Sequence, residues 1–298
     1  MESMNPNRYD IAVIGTGPAG LSAAITAKLR GKRVLLLGSR LMSTKLTKAH
    51  LIQNYLGLPS VSGEQLAEAF QSHLDAMELS ITDERVAAIY DMGGYFSLQA
   101  GEQFLEAGAV ILATGVTSGK ALPGEKEFLG RGVSYCATCD APLYRGKTVI
   151  VVGYSQKEES EAVYLAEVVS SVLYLPMYRE LGRLADESSR PANLTVLREI
   201  PQEILGERKV SALRTSGQIV EADGIFVLRE SIAPEQLVPG LLLEQQHVAV
   251  NRLMETNLPG CFACGDLVGA PYQYIKAAGE GNIAALSAVS YLDSLQKK

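Results

Sequence analysis

Tryptophan is absent from the 298 residues, and cysteine is scarce, with four in all. No apolar run approaches the ~18 residues that a membrane-spanning helix needs, so an integral membrane protein is not expected. The N-terminus, Met1-Glu2-Ser3-Met4-Asn5-Pro6, lacks the basic-then-apolar pattern of a secretion signal, and the expected location is cytoplasmic. Positive charge is not in excess. Lys and Arg number 27 against 33 Asp and Glu, a net −6, which argues against a general nucleic-acid binder. Low-complexity segments and short repeats are missing too. What is there is the profile of a globular protein, 47% hydrophobic and 20% charged, with 28 glycines that point to many tight turns. The length suggests roughly two domains.

One further absence is local. Between Ile11 and Gly63 no Asp or Glu occurs, while Lys28, Arg30, Lys32, Arg33, Arg40, Lys45 and Lys48 all fall there. A solvated helix end with contacts to a cofactor phosphate explains such a stretch, and so does a docking face for an acidic partner.

The first segment reads strand, glycine turn, helix, strand. Tyr9 to Ile14 is a short β-branched run, Gly15-Thr16-Gly17-Pro18-Ala19-Gly20 follows, an Ala-rich helix runs to about Arg30, and Arg33 to Leu37 makes the next strand. This is the context that a G-x-G-x-x-G motif needs to signify a dinucleotide site. The glycines supply a tight turn, close approach to a pyrophosphate, and helix-on-strand packing, and the helix N-terminus stabilises the phosphate charge. The acidic residue that normally grips the adenosine ribose is missing. Gly38-Ser39-Arg40 stands in its place, so Ser39 and Arg40 become candidates for holding the ribose.

Further strands end in Val110-Ile111-Leu112-Ala113-Thr114-Gly115 and in Cys261-Phe262-Ala263-Cys264-Gly265-Asp266, the latter followed by a helix from Ala277 to about Leu292. Between them lies a second βαβ-like unit: strand Thr148 to Val152, turn at Gly153, helix Lys157 to Val169 with Ala162, Leu165, Ala166 and Val169 on its apolar face. The expectation is an α/β protein of two Rossmann-like dinucleotide-binding domains, the second inserted into the first. Residues 1–116 with 241–298 make the outer domain and residues 117–240 the inner one.

The cysteines form two C-x-x-C units. Cys136-Ala137-Thr138-Cys139-Asp140 lies where helix and strand patterns break, and reads as a redox dithiol or half of a zinc site. The zinc reading needs Cys261 and Cys264 as the other half, about 120 residues away, and none of His50, His73 or His247 stands at ligand spacing, so no metal is expected. Cys261 and Cys264 fall in a predicted buried strand, where a disulfide between them is awkward and a role as small apolar side chains is favoured.

Gly15 to Gly20, Ile111 to Gly115, Gly132-Val133-Ser134-Tyr135-Cys136-Ala137-Thr138-Cys139-Asp140, Phe262 to Asp266 and Ala278-Gly279-Glu280-Gly281 together resemble the low-molecular-weight thioredoxin reductases, in order from about residue 8 to 294. The resemblance implies a homodimeric FAD enzyme that reduces thioredoxin by dithiol exchange. It assigns Gly15, Gly17 and Gly20 to the FAD pyrophosphate and Asp266 to the ribityl–phosphate part. Asn54, Thr114 and Gln273 come near the flavin, and Pro18, Ala19, Val86, Gly115, Gly265 and Tyr274 belong to the cofactor surroundings. Cys139 faces the flavin, Cys136 attacks the partner disulfide, and Asp140 serves as acid or base. A helix cap is the competing role for Asp140.

The inner domain departs from that family. At the expected glycine motif the chain has Gly153-Tyr154-Ser155-Gln156-Lys157-Glu158. Ser155 adds a side chain where backbone approaches phosphate, and Glu158 and Glu159 put carboxylates on the first helical turn, where they repel a pyrophosphate. The family's His-Arg-Arg cluster with a later Arg is replaced by Met177-Tyr178-Arg179-Glu180-Leu181-Gly182-Arg183. NADPH is therefore not the expected donor. The pattern resembles the pyridine-nucleotide-independent branch, the ferredoxin-dependent flavin thioredoxin reductases. Competing readings are an NADPH-dependent thioredoxin reductase with an atypical nucleotide site, a two-flavin disulfide oxidoreductase, and a non-enzymatic flavin redox sensor. Tyr272 and Tyr274 flank Gln273 and suit either flavin stacking or interface packing.

Overall fold

A computed structural model describes residues 8–40, 46, 49–101, 103–116, 121–229 and 232–295, the side chain of Cys139 excepted. The chain divides into two compact units, Met1–Thr117 with Ala233–Lys298, and Ser118–Ile232.

The first unit begins with β1 (Tyr9–Ile14), α1 (Pro18–Leu29) and β2 (Val34–Leu37). Then come α2 (Gly63–Ala76), β3 (Ile81–Thr82), β4 (Val86–Asp91), β5 (Phe96–Ala100) and β6 (Gln103–Leu112). Ser62 and Gln65 form a capping box that fixes the start of α2.

The second unit holds β7 (Val133–Ser134), the one-turn α3 (Ala137–Asp140), β8 (Thr148–Gly153), α4 (Glu158–Val168), β9 (Ser171–Pro176) and β10 (Leu194–Val196). It continues with β11 (Pro201–Gly206), β12 (Val210–Thr215), β13 (Ile219–Glu221) and β14 (Gly224–Leu228). The chain returns to the first unit with α5 (Pro234–Leu237), β15 (Leu243–Glu244), β16 (His247–Val248), β17 (Cys261–Ala263) and α6 (Tyr274–Leu295). The return comes at residue 233 rather than 241, because the short α5 packs against β4.

In the first unit β3, β2, β1 and β6 are parallel neighbours. The long β6 serves two partners on its other side. Its first half pairs antiparallel with β5, and its last three residues pair in parallel with β17. Ile14 is in register with both Leu37 and Leu112, and Leu112 with Ala263. The loops after β1, β2, β6 and β17 therefore leave one edge together. The strands read as apolar runs because both faces are covered. On one face α1 and α6 meet through Ala23, Ala24, Ala27, Ala284, Ala285 and Ala288, all buried. A Cβ at Gly281 would stand 2.0 Å from the Ala19 carbonyl oxygen, so the closeness of these helices depends on glycine there.

The second unit is a parallel sheet in the order β10-β9-β8-β14-β7, with an antiparallel sheet of β11, β12 and β13. Alternation along β8 separates two cores. Val149 and Val151 pack with Ala162 and Leu165 of α4, whereas Ile150 and Val152 pack with Ile204, Val210 and Leu213 of the antiparallel sheet. Gly153 is in register with Pro176 on one side and Leu228 on the other. Since β8 leads through α4 to β9, while β14 lies on the opposite flank, the topological switch point falls between β8 and β14. That is where an open α/β sheet offers a ligand crevice.

Candidate functional site

The three motif glycines differ in what a side chain would meet. At Gly15, φ is +118° and a Cβ would lie 2.2 Å from the Ala113 carbonyl oxygen; at Gly20 it would lie 1.9 Å from the Gly15 carbonyl oxygen. Both are fixed by the fold. At Gly17 a Cβ would meet nothing within 4 Å. The fold has no use for a bare backbone there, whereas a phosphate approaching the start of α1 does. Gly17 is the N-cap of α1, Pro18 and Ala19 open the helix, and its first turn has no acidic residue and no side-chain cap. The unsatisfied N–H groups and positive end of the helix dipole thus face the edge where the loops converge.

Several expected contacts come to that edge from distant parts of the chain. Ser39 follows β2 and its carbonyl accepts a 2.8 Å bond from Thr16 Oγ1 inside the glycine motif, with the exposed Arg40 next to it. Thr114 and Gly115 follow β6. Val86 opens β4, buried and paired with Ala100. Asn54 Nδ2 donates a 2.6 Å bond to Gln273 Oε1. Asp266 rides on a 3-10 turn, Gly265–Val268, after β17. The final helix begins at Tyr274, earlier than Ala277, so Tyr274 is held on its first turn. Burial, and then the Asp266 carboxylate, push the Tyr274 hydroxyl pKa upward, which ties those two side chains electrostatically. Tyr272 is half-exposed, and its hydroxyl bonds His247 Nε2 at 2.8 Å.

A charged pair not foreseen from sequence holds the Asp266 turn. Glu280 accepts from the Gly265 N–H at 3.0 Å, and Lys276 Nζ donates to the carbonyls of Gly265 and Gly269 at 3.0 and 2.7 Å. Lys276 and Glu280 also pair with each other at 3.0 Å, an i,i+4 bridge on α6. The spacing is visible in the sequence; its target is not.

In the second unit Cys136 is half-buried and disulfide-bonded. Ser134, buried at the end of β7, brackets its peptide unit: Ser134 Oγ accepts from the Cys136 N–H at 3.1 Å and donates to the Cys136 carbonyl at 3.2 Å. Ser134 is absent from the residues expected at the site, although a Ser two positions before the cysteine is a side-chain-to-backbone turn signal. Cys139 lies on α3, with its side chain outside the described residues. Asp140 is half-buried and precedes a 3-10 turn, Ala141–Tyr144, without a side-chain capping bond. Its charge contributes, after burial, to raising the pKa of Tyr144. Asp140 is therefore not spent as a helix cap.

The crevice at the β8/β14 switch point is filled by the chain itself. Arg229, next after β14, makes a two-pronged pair with Glu125 at 2.5 and 2.9 Å, both side chains at most 8% exposed. Tyr154, next after β8, lays its ring 4.7 Å from the Arg229 guanidinium. Ser155 Oγ is buried without a hydrogen-bond partner. A Cβ at Gly153 would meet the Tyr174 hydroxyl at 2.3 Å, so the space beside this glycine is taken by protein. Glu158 and Glu159 do not project toward solvent as the sequence suggests. Both are buried, and Glu159 turns back onto the loop after β9.

Cys261 and Cys264 are free and buried. Burial pushes the Cys261 pKa up to about 12 and that of Cys264 higher still, so both are inert thiols. The basic stretch is partly neutralised from elsewhere. Lys32 pairs with Asp293 of α6 at 2.6 Å, and Arg33 lies over the Tyr9 ring; Lys45 and Lys48 fall outside the described residues.

Residues 9–281 match the family described as pyridine nucleotide-disulphide oxidoreductase. A ferredoxin-flavin thioredoxin reductase from Clostridium acetobutylicum is 49% identical, with a TM-score of 0.91 over 98% of this chain and 99% of that one. The thioredoxin reductase of Treponema pallidum is 32% identical over 97% of this chain and 98% of its own. An alkyl hydroperoxide reductase relative in Escherichia coli is 33% identical over 95% of this chain, which spans 58% of that longer protein.

Proposed function

The chain belongs to the pyridine nucleotide-disulphide oxidoreductase family, and we propose that within it this chain is a thioredoxin reductase that holds FAD in its first unit and draws electrons from reduced ferredoxin rather than NADPH. The observation that carries the choice of donor is the filled switch-point crevice, where Arg229, Glu125 and Tyr154 occupy the place a nicotinamide dinucleotide needs. The contrast with α1 supports it: that helix offers a bare N-terminus, while α4 begins with Glu158, Glu159 and Glu161. The Clostridium relative bears ferredoxin and flavin in its name.

The residues present suit FAD. Gly15, Gly17 and Gly20 with the start of α1 receive the pyrophosphate, Asp266 the ribityl–phosphate part, and Ser39, Arg40 and Val86 the adenosine end. Asn54, Thr114, Gln273 and Tyr274 surround the ring system. When bound, FAD supplies the capacity to take electrons singly and deliver them in pairs.

The chain's own residues then perform disulfide exchange. With the Cys136–Cys139 dithiol reduced, the Cys136 thiolate attacks one sulfur of the thioredoxin disulfide, forming a mixed disulfide and releasing the other sulfur as a thiolate. Cys139 attacks Cys136 in turn, which frees the second thioredoxin thiol and restores the enzyme disulfide. Asp140 moves the proton between the departing and attacking sulfurs. Ser134 keeps the Cys136 peptide fixed through both steps. The partners are thioredoxin and a ferredoxin, and the assembly is a homodimer, which sedimentation tests.

The deciding experiment mixes the anaerobic FAD-loaded protein with excess NADPH and then with reduced ferredoxin, following flavin absorbance. Bleaching only after ferredoxin, coupled to thioredoxin reduction, is the expected result. Bleaching by NADPH alone overturns the choice of donor.

A further inference from the structure

Glu159 is a buried carboxylate that the exchange chemistry does not use. It is 1% exposed and stands on the first turn of α4. Its Oε1 accepts from the Tyr178 hydroxyl at 2.7 Å and from the Gly182 N–H at 2.8 Å, and its Oε2 from the Leu184 N–H at 2.8 Å. Tyr178 is steadied by a 2.8 Å bond to the Tyr174 hydroxyl, and Gln156 straps the same loop through a 2.7 Å bond to the Glu180 carbonyl.

Converging backbone N–H groups and a hydroxyl around one negative group are the chemistry of an oxyanion site. Here the anion is covalently part of the protein. The loop also forms one wall of a cleft of about 750 Å³ to which Arg179, Arg190 and Arg198 contribute, so an external anion has an electropositive approach. The loop is the segment where the family's arginine cluster is degraded, and α4 is the helix whose N-terminus should face a pyrophosphate. One side chain joins the two.

We propose that Glu159 is a specificity-determining residue: its carboxylate fills an oxyanion site made by the loop after β9, and so bars a phosphate-bearing ligand from the second unit. The inference rests on the proposed function in one respect, the exclusion of NADPH. It adds the residue responsible and the kind of ligand the site takes once vacated, a small oxyanion such as phosphate.

The test compares thermal unfolding of the FAD-loaded wild-type, Glu159→Ala and Glu159→Gln proteins across a titration of inorganic phosphate, with chloride at matched ionic strength as control. Glu159→Ala should be destabilised and then regain about 2–4 °C in a saturable, phosphate-specific manner. Wild type and Glu159→Gln, whose site stays filled, should show no such response. Absence of a phosphate response in Glu159→Ala, or an equal one in wild type, overturns the proposal. If Glu159→Ala does not fold, hydrogen exchange on Glu159→Gln decides. Faster exchange at Gly182 and Leu184 than in wild type supports the proposal, and unchanged protection defeats it. Reduction of wild-type flavin by NADPH would sink the choice of donor while leaving this comparison readable.

Discussion

Asn54 and Gln273, separated by 219 positions in the chain, meet through a 2.6 Å hydrogen bond between their side-chain amides. Sequence alone points to each, separately, as a neighbour of the flavin. Their bond joins the segment before α2 to the start of α6, so the two are expected to act as a unit. Asn54→Ala and Gln273→Ala should each weaken FAD binding to the apoprotein. A double-mutant cycle should give a coupling of about 0.5–1.5 kcal/mol, the usual net value of one such bond. Fully additive effects in FAD titrations would separate the pair.

The glycine motif predicts opposite outcomes for neighbouring substitutions. Gly17→Ala meets no atom within 4 Å, and its φ of −82° suits any residue. It should leave the melting temperature of the apoprotein unchanged while lowering FAD affinity at least about tenfold, or 1.4 kcal/mol. Gly20→Ala drives a methyl onto the Gly15 carbonyl and should cost about 3 kcal/mol of stability by urea unfolding.

For the cysteines, Cys139→Ser keeps the attacking thiol and removes the resolving one. Incubation with oxidised thioredoxin should accumulate a mixed disulfide visible on non-reducing gels, whereas Cys136→Ser should give none. Iodoacetamide at pH 8 should modify only Cys136 and Cys139 in the folded, reduced protein. Cys261, pushed up to about 12 by burial, and Cys264 should react only after unfolding.

The Glu125–Arg229 pair is buried, so losing one partner strands a charge. Glu125→Ala should destabilise the second unit by about 3–5 kcal/mol in denaturant titration, and Glu125→Leu with Arg229→Met should recover most of that.

The stability contributed by Glu159 should depend on acid. Burial pushes its pKa up, but bonds from Tyr178 and the backbone N–H groups of Gly182, Leu184 and Arg183 outweigh this and hold it below the ordinary glutamate value. A carboxylate whose folded pKa is depressed stabilises fully above the unfolded value, and that stability is lost as pH falls through the folded one. The melting-temperature gap between wild type and Glu159→Gln should therefore be widest near neutrality and close toward acid. A gap independent of pH would count against an ionised Glu159.

Local pattern carries much of this architecture. The β1–α1–β2 unit, the strands at Val110 and Cys261, the inner strand at Thr148 and the inert character of Cys261 and Cys264 follow from apolar runs punctuated by glycine, because both faces of a parallel sheet are covered. The three glycine roles are legible for the same reason, since only glycine tolerates such close backbone approach. Ser155, Glu158 and the altered Met177–Arg183 segment already show in one dimension that a nucleotide site is spoiled. They do not show how.

The manner of it comes from long-range packing. Glu125 and Arg229 are 104 positions apart, and Glu159 and Gly182 are 23 apart; spacing alone does not pair them. Register brings Gly153 level with Leu228 and Pro176, and burial then leaves each charge no partner except the one facing it. A carboxylate read in one dimension as a repulsive surface group becomes, in three, an internal ligand, because removing it from water makes its hydrogen bonds obligatory. Residue order is enough to say which elements form and which side chains can carry redox chemistry. Which polar groups are consumed holding the protein together, and which remain to meet a ligand, depends on how those elements pack.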